Sequence, residues 1–241
     1  DLTLSYAWDL DGDGAFDDST ATQTTYTYTA SGSYNASLRV TDRQGASATD
    51  SVTITAGNTA PTAFIDTPAA GTTWRVGDTI SFTGHATDTQ QGQLPASAFS
   101  WQLILQHCPS NCHSHTVQTF AGVANGSFVA PDHEYPSYLE LRLTATDSGG
   151  LQHTASVRLD PRTVNLTFST IPGGLQLTVN STQSTAAFSR TVIVGSTNTI
   201  SAVTPQTKGK KTYNFVSWSD GGTQTHTVAP DTPTTYSARF R

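Results

Sequence analysis

Two stretches decide the fold: LRVTDRQGASATDSVTI at residues 38–54 and LRLTATDSGGLQHTASVRL at residues 141–159. Aligned without a gap, Asp42 meets Asp147 and Gly45 meets Gly150. In each stretch, apolar and polar residues alternate on both sides of a polar turn, which is the pattern of a β-hairpin. The repeat therefore predicts two related sandwiches in tandem, each closed by such a hairpin.

The composition favours an all-β fold of tandem immunoglobulin-like β-sandwiches. Charged residues are only 12% of the 241 residues, and long runs of helix-forming Glu, Lys and Leu are absent. Trp8 and Trp101 precede the two hairpins at similar places in the chain. We expect each to lie on a central strand and to pack between the two sheets of its sandwich.

Two proline-containing segments divide the chain. AGNTAPTA at residues 56–63 has the composition of a short linker, and Pro161 in LDPRT interrupts the second alternating pattern. We predict a first sandwich at residues 1–57, a second with a disulfide loop at 58–162, and a third at 163–241.

Charge and hydropathy exclude several partners. The net charge is −6, and the chain has no extended basic run, so we expect no nucleic-acid partner. No apolar stretch approaches the roughly 20 residues that cross a bilayer, so we expect no membrane insertion. Two cysteines that are close in sequence favour a secreted, extracellular chain with a local disulfide.

Residues 1–55 resemble a polycystic-kidney-disease (PKD) domain. The resemblance is carried by YAWDLDGDGAFDD, YTYTASGSYNASLRVTD and the strand that follows, in that order. It implies a spacer or binding module of the kind found in secreted bacterial hydrolases. A PKD domain begins with two further strands before the tryptophan strand, so we expect those N-terminal strands to be missing here.

Residues 58–241 are similar to the C-terminal regions of large secreted actinobacterial proteins. The similarity is carried by GDTISFTGHATD, HCPSNCHSHT, APDHEYPSYLELRLTATDSGG and FVSWSDGGTQTHT. Such regions follow catalytic domains, including sugar dehydrogenases that use pyrroloquinoline quinone. The resemblance implies a catalytic domain in the same parent chain, whereas the quinone-binding propeller itself is absent from these residues.

An acidic stretch at residues 9–18 predicts a calcium site. It has the pattern D-x-D-x-D-G-x-x-D-D, in which closely spaced carboxylates and a glycine allow a short loop to surround Ca²⁺. The alternative is a solvated acidic turn, because turns also favour Asp and Gly. Thr20 stands where an EF-hand has its last glutamate, so we expect a different ligand set and a structural ion. The candidate ligands are Asp9, Asp11, Asp13, Asp17 and Asp18.

The stretch HCPSNCHSH at residues 107–115 leaves three interpretations open. In the first, a Cys108–Cys112 disulfide closes a polar loop. In the second, which is compatible with the first, histidines two residues apart on a strand bind Zn²⁺ or Cu²⁺; the candidate ligands are His107, His113, His115, His133 and Glu134. In the third, C-x₃-C-H holds haem, but the chain has no Met as an axial ligand, so no haem is expected.

Carbohydrate binding needs exposed aromatic rings, and Trp74, Tyr135 and Tyr138 are the candidates. For any one of them, a position in the core is the commoner outcome. Motifs for nucleophilic, metalloprotease, phosphate or dinucleotide chemistry are absent. We therefore expect a non-catalytic extracellular accessory module, with polysaccharide as a partner. The alternatives are a purely structural or adhesive spacer array, and a transition-metal site of unknown activity at His107–His133.

Overall fold

The structure is a computed structural model that describes residues 4–107 and 112–241. The described residues are built from β-strands, with one 3-10 turn at Ala96–Ala98. Within these ranges no helix is long and apolar enough to span a membrane. The predicted fold class, all-β with immunoglobulin-like sandwiches in tandem, is confirmed.

The PKD-like segment forms one antiparallel sheet of three strands in the order β1-β2-β3. Its strands are β1 (Ser5–Asp9), β2 (Gly32–Thr41) and β3 (Ser47–Ala56). The sequence suggested that Trp8 packs between two sheets, and the structure shows that it does not. It is only partly buried, and its indole N–H donates to the carbonyl of Ala21 at 2.8 Å. The tryptophan therefore fixes the loop that follows β1.

The second sandwich contains two sheets, with orders β10-β6-β4 and β5-β12-β11-β8-β9, and β7 pairs with β6. Its strands are β4 (Thr62–Thr67), β5 (Thr73–Trp74), β6 (Thr79–Asp88), β7 (Gly92–Gln93), β8 (Phe99–His107), β9 (His113–Ala121), β10 (Asn125–Val129), β11 (Tyr138–Thr146) and β12 (Gln152–Pro161). The ring of Trp101 on β8 lies 4.6 Å from the ring of Phe82 on β6, so the predicted cross-sheet packing is present here. Gly84 permits it, because a Cβ at that position would lie 2.8 Å from Trp101.

The third sandwich pairs the sheets β16-β13-β22-β20 and β15-β14-β17-β21, with a small β18-β19 hairpin beside them. Its strands are β13 (Thr163–Ile171), β14 (Gln176–Val179), β15 (Thr182–Thr185), β16 (Phe188–Ile193), β17 (Asn198–Ala202), β18 (Gln206–Lys208), β19 (Lys211–Tyr213), β20 (Phe215–Trp218), β21 (Thr225–Val228) and β22 (Thr234–Phe240). Both sheets contribute to one core, which includes Leu166, Leu177, Ile200 and Trp218. Trp218 is buried in this core.

The chain separates into two compact units. The first comprises residues 1–62, 86–94 and 145–153, and the second comprises residues 63–85, 95–144 and 154–241. The domain boundaries expected from sequence, at 57/58 and 162/163, remain a prediction.

The second unit contains the junction between the second and third sandwiches. The amide of Val76 donates to the carbonyl of Val194 at 3.1 Å. In addition, both carboxylate oxygens of Asp132 accept from the amide of Thr197 at 3.1 Å. Asp132 belongs to the segment between β10 and β11, residues 130–137, which we call the 130–137 loop.

The repeated hairpins have the same turn in both copies. Asp42 accepts the amide of Ala46 at 2.9 Å, and Asp147 accepts the amide of Leu151 at 2.8 Å. The glycines three residues further on have φ of +90° and +86°, a left-handed conformation that glycine adopts without strain. The side chain therefore caps its own turn in each hairpin, as the repeated Asp and Gly predicted.

Candidate functional site

A group of histidines collects at the end of the β8–β9 hairpin. In the register of this hairpin, His107 is directly opposite His113, and His115 is opposite Leu105. Side chains two residues apart on a strand share a face, so all three histidines project to the same side. β9 is the edge strand of its sheet, and His113 and His115 are exposed on it.

The rings of this group are in mutual contact. The His107 ring is stacked on the His113 ring with centroids 4.4 Å apart and planes at 6°. His115 lies edge-on to both, with centroids 5.2 Å from His107 and 5.0 Å from His113. Each of the three residues offers a ring nitrogen within 4.8 Å of the others, which is the composition and spacing of a candidate metal site.

His107 is the least solvated member of the group. Its Nε2 is buried and has no hydrogen-bond partner. Among the buried side-chain atoms of the described residues, only Asp88 Oδ2 also lacks a partner. Burial is the largest cause that lowers the pKa of His107 below its ordinary value of 6.5, and the charges of the neighbouring histidines lower it further. The neutral imidazole that results is the form that binds metals.

The 130–137 loop supplies a fourth histidine. The ring of His133 lies 4.4 Å from that of His107, at 68°. Its Nδ1 is 3.1 Å from the carbonyl oxygen of Glu134. A carbonyl only accepts, so Nδ1 carries a proton, and in the neutral ring the lone pair is then on Nε2. The Glu134 side chain is exposed, and its charge raises the pKa of His107 in opposition to the histidines.

The predicted disulfide includes a cysteine that the structure does not describe. Cys108 lies outside the described residues, so the Cys108–Cys112 pairing stays a prediction. In the sequence, each cysteine is adjacent to one of the two opposed histidines, His107 and His113. A disulfide would therefore tie together the two strand ends that carry them.

The acidic loop, residues 9–18, is organised by its own carboxylates. Asp9 is buried, and its two oxygens accept the amides of Gly12 at 2.8 Å and Gly14 at 3.0 Å. One oxygen of Asp18 accepts the amides of Leu10 and Asp11. These bonds are typical of a self-capped turn.

Three of the five predicted calcium ligands come together. Asp9, Asp11 and Asp18 each offer a carboxylate oxygen within 4.8 Å of the others. Asp13 instead accepts the amide of Ala15 at 2.7 Å, and Asp17 is exposed. The loop thus provides a partial oxygen cluster, smaller than the one that the spacing suggested.

The prediction that Trp74 is an exposed sugar platform is wrong. Trp74 is fully buried, and its indole N–H donates to the carbonyl of Leu159 at 2.9 Å. The cause is a short parallel pairing in which Thr73 and Trp74 lie beside Asp160 and Pro161. A two-residue strand of this kind has no detectable signature in the sequence.

Tyr135 and Tyr138 line one cleft of about 390 Å³ on the second unit. Tyr135 is 45% exposed. The guanidinium of Arg158 covers the ring of Tyr138 at 3.8 Å from its centroid, and it also bonds Asp160 at 2.7 Å. Sequence reasoning missed Arg158 and Asp160, although their spacing of two on β12 places both on one face. Tyr135 also lines a second pocket of about 200 Å³, together with Glu134, Asn180, Arg190 and Asn198.

Comparison with known proteins identifies part of the chain. Residues 1–56 match the family model of the PKD domain, which confirms the resemblance seen in the sequence. No curated protein matches the chain.

Among solved structures, the chain is similar to the major pilin subunit BcpA of Bacillus cereus (D312A form), to domains 3–6 of protocadherin gamma B2, and to SGBP-B of the Bacteroides ovatus mixed-linkage glucan utilization locus in complex with a heptasaccharide. Identities are 9%, 9% and 15%, and TM-scores are 0.27, 0.26 and 0.17. The alignments cover 100%, 98% and 95% of this chain and 95%, 64% and 60% of those chains. At these TM-scores the similarities carry no argument about function.

Proposed function

We propose that this chain is a non-catalytic, extracellular binding region of a larger secreted protein, and that it binds polysaccharide through the cleft of Tyr135. The observation that carries the proposal is an exposed tyrosine beside a paired arginine and aspartate, Arg158 and Asp160. A catalytic domain elsewhere in the parent chain is the partner that such a region would hold near its substrate.

The cleft has the parts that sugar recognition needs. An exposed aromatic face packs against the apolar C–H face of a sugar ring, and planar charged groups bond its hydroxyls. Arg158 and Asp160 are 60% and 56% exposed in their side chains, so both remain accessible to a ligand. The cleft volume of about 390 Å³ lies within the usual range for ligand sites.

Tyr135 links this cleft to a second polar pocket. The second pocket contains amide side chains at Asn180 and Asn198, and charged groups at Glu134 and Arg190. Because Tyr135 lines both, we expect consecutive sugar units of one polysaccharide to contact its ring from the two pockets. This arrangement favours a polymer over a single small sugar.

We also propose a structural Ca²⁺ ion in the acidic loop. Asp9, Asp11 and Asp18 supply three carboxylate oxygens, and Ca²⁺ takes oxygen ligands from carboxylates, carbonyls and water. The ion would neutralise the mutual repulsion of these side chains and stiffen the PKD-like segment. It has no part in the sugar cleft.

Retention of the full chain on insoluble polysaccharides tests the binding proposal. We expect at least one polysaccharide of a chemically varied panel to retain the protein, and Tyr135→Ala to reduce retention about tenfold, because one stacked ring contributes about 1.4 kcal/mol. Phe64→Ala is the matched control, since Phe64 is another exposed aromatic residue, 43% exposed, and it lies outside the cleft.

Two outcomes would contradict the proposal. Equal losses for Tyr135→Ala and Phe64→Ala would mean that retention is non-specific. If no polysaccharide retains the wild-type chain, with or without calcium, the spacer or adhesive array becomes the better account of the molecule.

A further inference from the structure

Four histidines of the second unit, His107, His113, His115 and His133, are not used by the sugar cleft or by the acidic loop. Three of them lie on the β8–β9 hairpin, and His133 reaches them from the 130–137 loop. The group is therefore assembled from two segments that are separated in sequence. The other histidines of the described residues, His85, His153 and His226, lie elsewhere, and His85 and His226 pair with the carboxylates of Asp66 and Asp220.

We propose that the β8–β9 hairpin and the 130–137 loop form a binding site for Zn²⁺ or Cu²⁺, whose ligands are His107, His113, His115 and His133. This proposal does not rest on the proposed polysaccharide binding. Imidazole nitrogens suit these late transition metals, whereas Ca²⁺ and Mg²⁺ prefer oxygen.

The distances between the ring nitrogens are close to those in a metal-bound site. Two nitrogens bound to one tetrahedral Zn²⁺ lie about 3.3 Å apart, because each Zn–N bond is about 2.0–2.1 Å long. The nitrogens of His107, His113 and His115 already lie within 4.8 Å of one another. His113 and His115 are exposed, so rotation of their side chains can shorten these distances without repacking the core.

The orphaned nitrogen of His107 is the second argument. A buried polar atom with no partner is rare in folded proteins and calls for a specific explanation. Nε2 of His107 is such an atom, and a bound cation gives it a partner.

The fourth ligand, His133, lies beside the group of three, with its ring centroid 4.4 Å from that of His107, and its tautomer is already set. A metal-binding histidine commonly donates its other ring N–H to a backbone carbonyl, which fixes the ring and the tautomer. Nδ1 of His133 does this with the carbonyl oxygen of Glu134 at 3.1 Å. Its Nε2 is left to bind the ion.

Calorimetric titration of the full chain, prepared without a histidine tag, tests the site with ZnCl₂ and with CuCl₂ in separate experiments. We expect one metal ion per chain, with Cu²⁺ bound more tightly than Zn²⁺. The electron paramagnetic resonance spectrum of the Cu²⁺ form should show hyperfine splitting from nitrogen ligands. An excess of CaCl₂ should not displace either ion.

Variants separate this site from non-specific binding. His107→Asn and His115→Asn should each weaken metal affinity about tenfold or more. His115 is exposed on an edge strand, so its variant tests the ligand without risk to folding. His85→Asn is the matched control and should bind as the wild type does.

Three results would overturn the proposal. The first is a wild-type chain that binds neither ion in excess metal. The second is a Cu²⁺ spectrum without nitrogen splitting. The third is an equal loss of affinity in the His85→Asn control.

Discussion

The acidic loop and the histidine group contain similar numbers of possible metal ligands, but their polar atoms are satisfied differently. In the loop, both oxygens of Asp9 and one of Asp18 accept backbone amides, so the carboxylates hold the chain in shape. In the histidine group, Nε2 of His107 is buried without a partner. Because a buried polar atom without a partner calls for a specific explanation, we rank the histidine group above the acidic loop as a candidate ligand site.

We expect the greatest loss of stability on removal of a carboxylate that accepts backbone hydrogen bonds. Asp9→Ala should destabilise the PKD-like segment by about 3 kcal/mol, because two partly buried hydrogen bonds to a charged acceptor are lost. Hydrogen exchange at the amides of Gly12 and Gly14 should accelerate accordingly. Asp17→Ala, an exposed carboxylate of the same loop, is the control. Equal effects of the two variants would show that Asp9 is not a special acceptor.

Calcium should have a smaller effect on the same loop. At free Ca²⁺ ten times its dissociation constant, binding to the folded state alone stabilises by about 1.4 kcal/mol. Slower hydrogen exchange across residues 9–18 in Ca²⁺ than in chelator would report it, and Asp11→Asn should remove the difference. If exchange is unchanged at about 10 mM Ca²⁺, above the dissociation constants of extracellular calcium modules, the loop is a self-capped turn without an ion.

Removing a side chain from the histidine group should have the opposite effect on stability when metal is absent. His107→Leu should raise stability in chelator by about 1 kcal/mol, since it removes a buried atom that has no partner. Thermal unfolding of the metal-free proteins measures this difference. A loss of stability in chelator would mean that His107 has a partner in solution, and the comparison with Asp9 would fail.

We expect the least change in stability at Glu140, a carboxylate whose hydrogen bonds come from other side chains. It accepts Arg142 at 2.8 Å and Gln106 at 2.7 Å. The bond from Arg142 is the largest cause that lowers the pKa of Glu140 below its ordinary value of 4.5. The stabilisation is therefore complete above pH 4.5 and is lost as the pH falls through the lowered pKa.

Glu140→Gln should accordingly cost about 0.5 kcal/mol at pH 7, a small value because Arg142 is partly exposed. The difference from wild type should shrink as the pH falls through the lowered pKa of Glu140, because the protonated carboxyl is then neutral like the amide of the variant. Thermal unfolding at pH 7 and along a series of acidic pH values tests this. A cost that persists unchanged along the acidic series would assign it to packing.

Local chemistry explains what the sequence predicted correctly. The repeated Asp and Gly of the two hairpins determine their turns within five residues, so Asp42 and Asp147 behave as expected. The same holds for the core tryptophan Trp101, which stands within a clearly alternating strand. Each of these outcomes depends on residues that are close together in the chain.

Sequence reasoning determined less where distant segments meet, and its error at Trp74 arose there. Trp74 is buried because β5 pairs in parallel with β12, a contact between residues more than eighty positions apart. His133 joins the histidine group only because the 130–137 loop returns to the β8–β9 hairpin. The opposition of His107 and His113 depends on hairpin register, which spacing alone did not fix.

The 130–137 loop connects three features of the second unit. Within eight residues, Asp132 accepts the amide of Thr197 in the third sandwich, His133 lies against the histidine group, and Tyr135 lines the cleft that we propose for polysaccharide. An ion that immobilised His133 would restrict the backbone on either side of it. The loop would then act as a short link through which a bound metal ion affects both the stiffness of the joint between two sandwiches and the position of the Tyr135 ring.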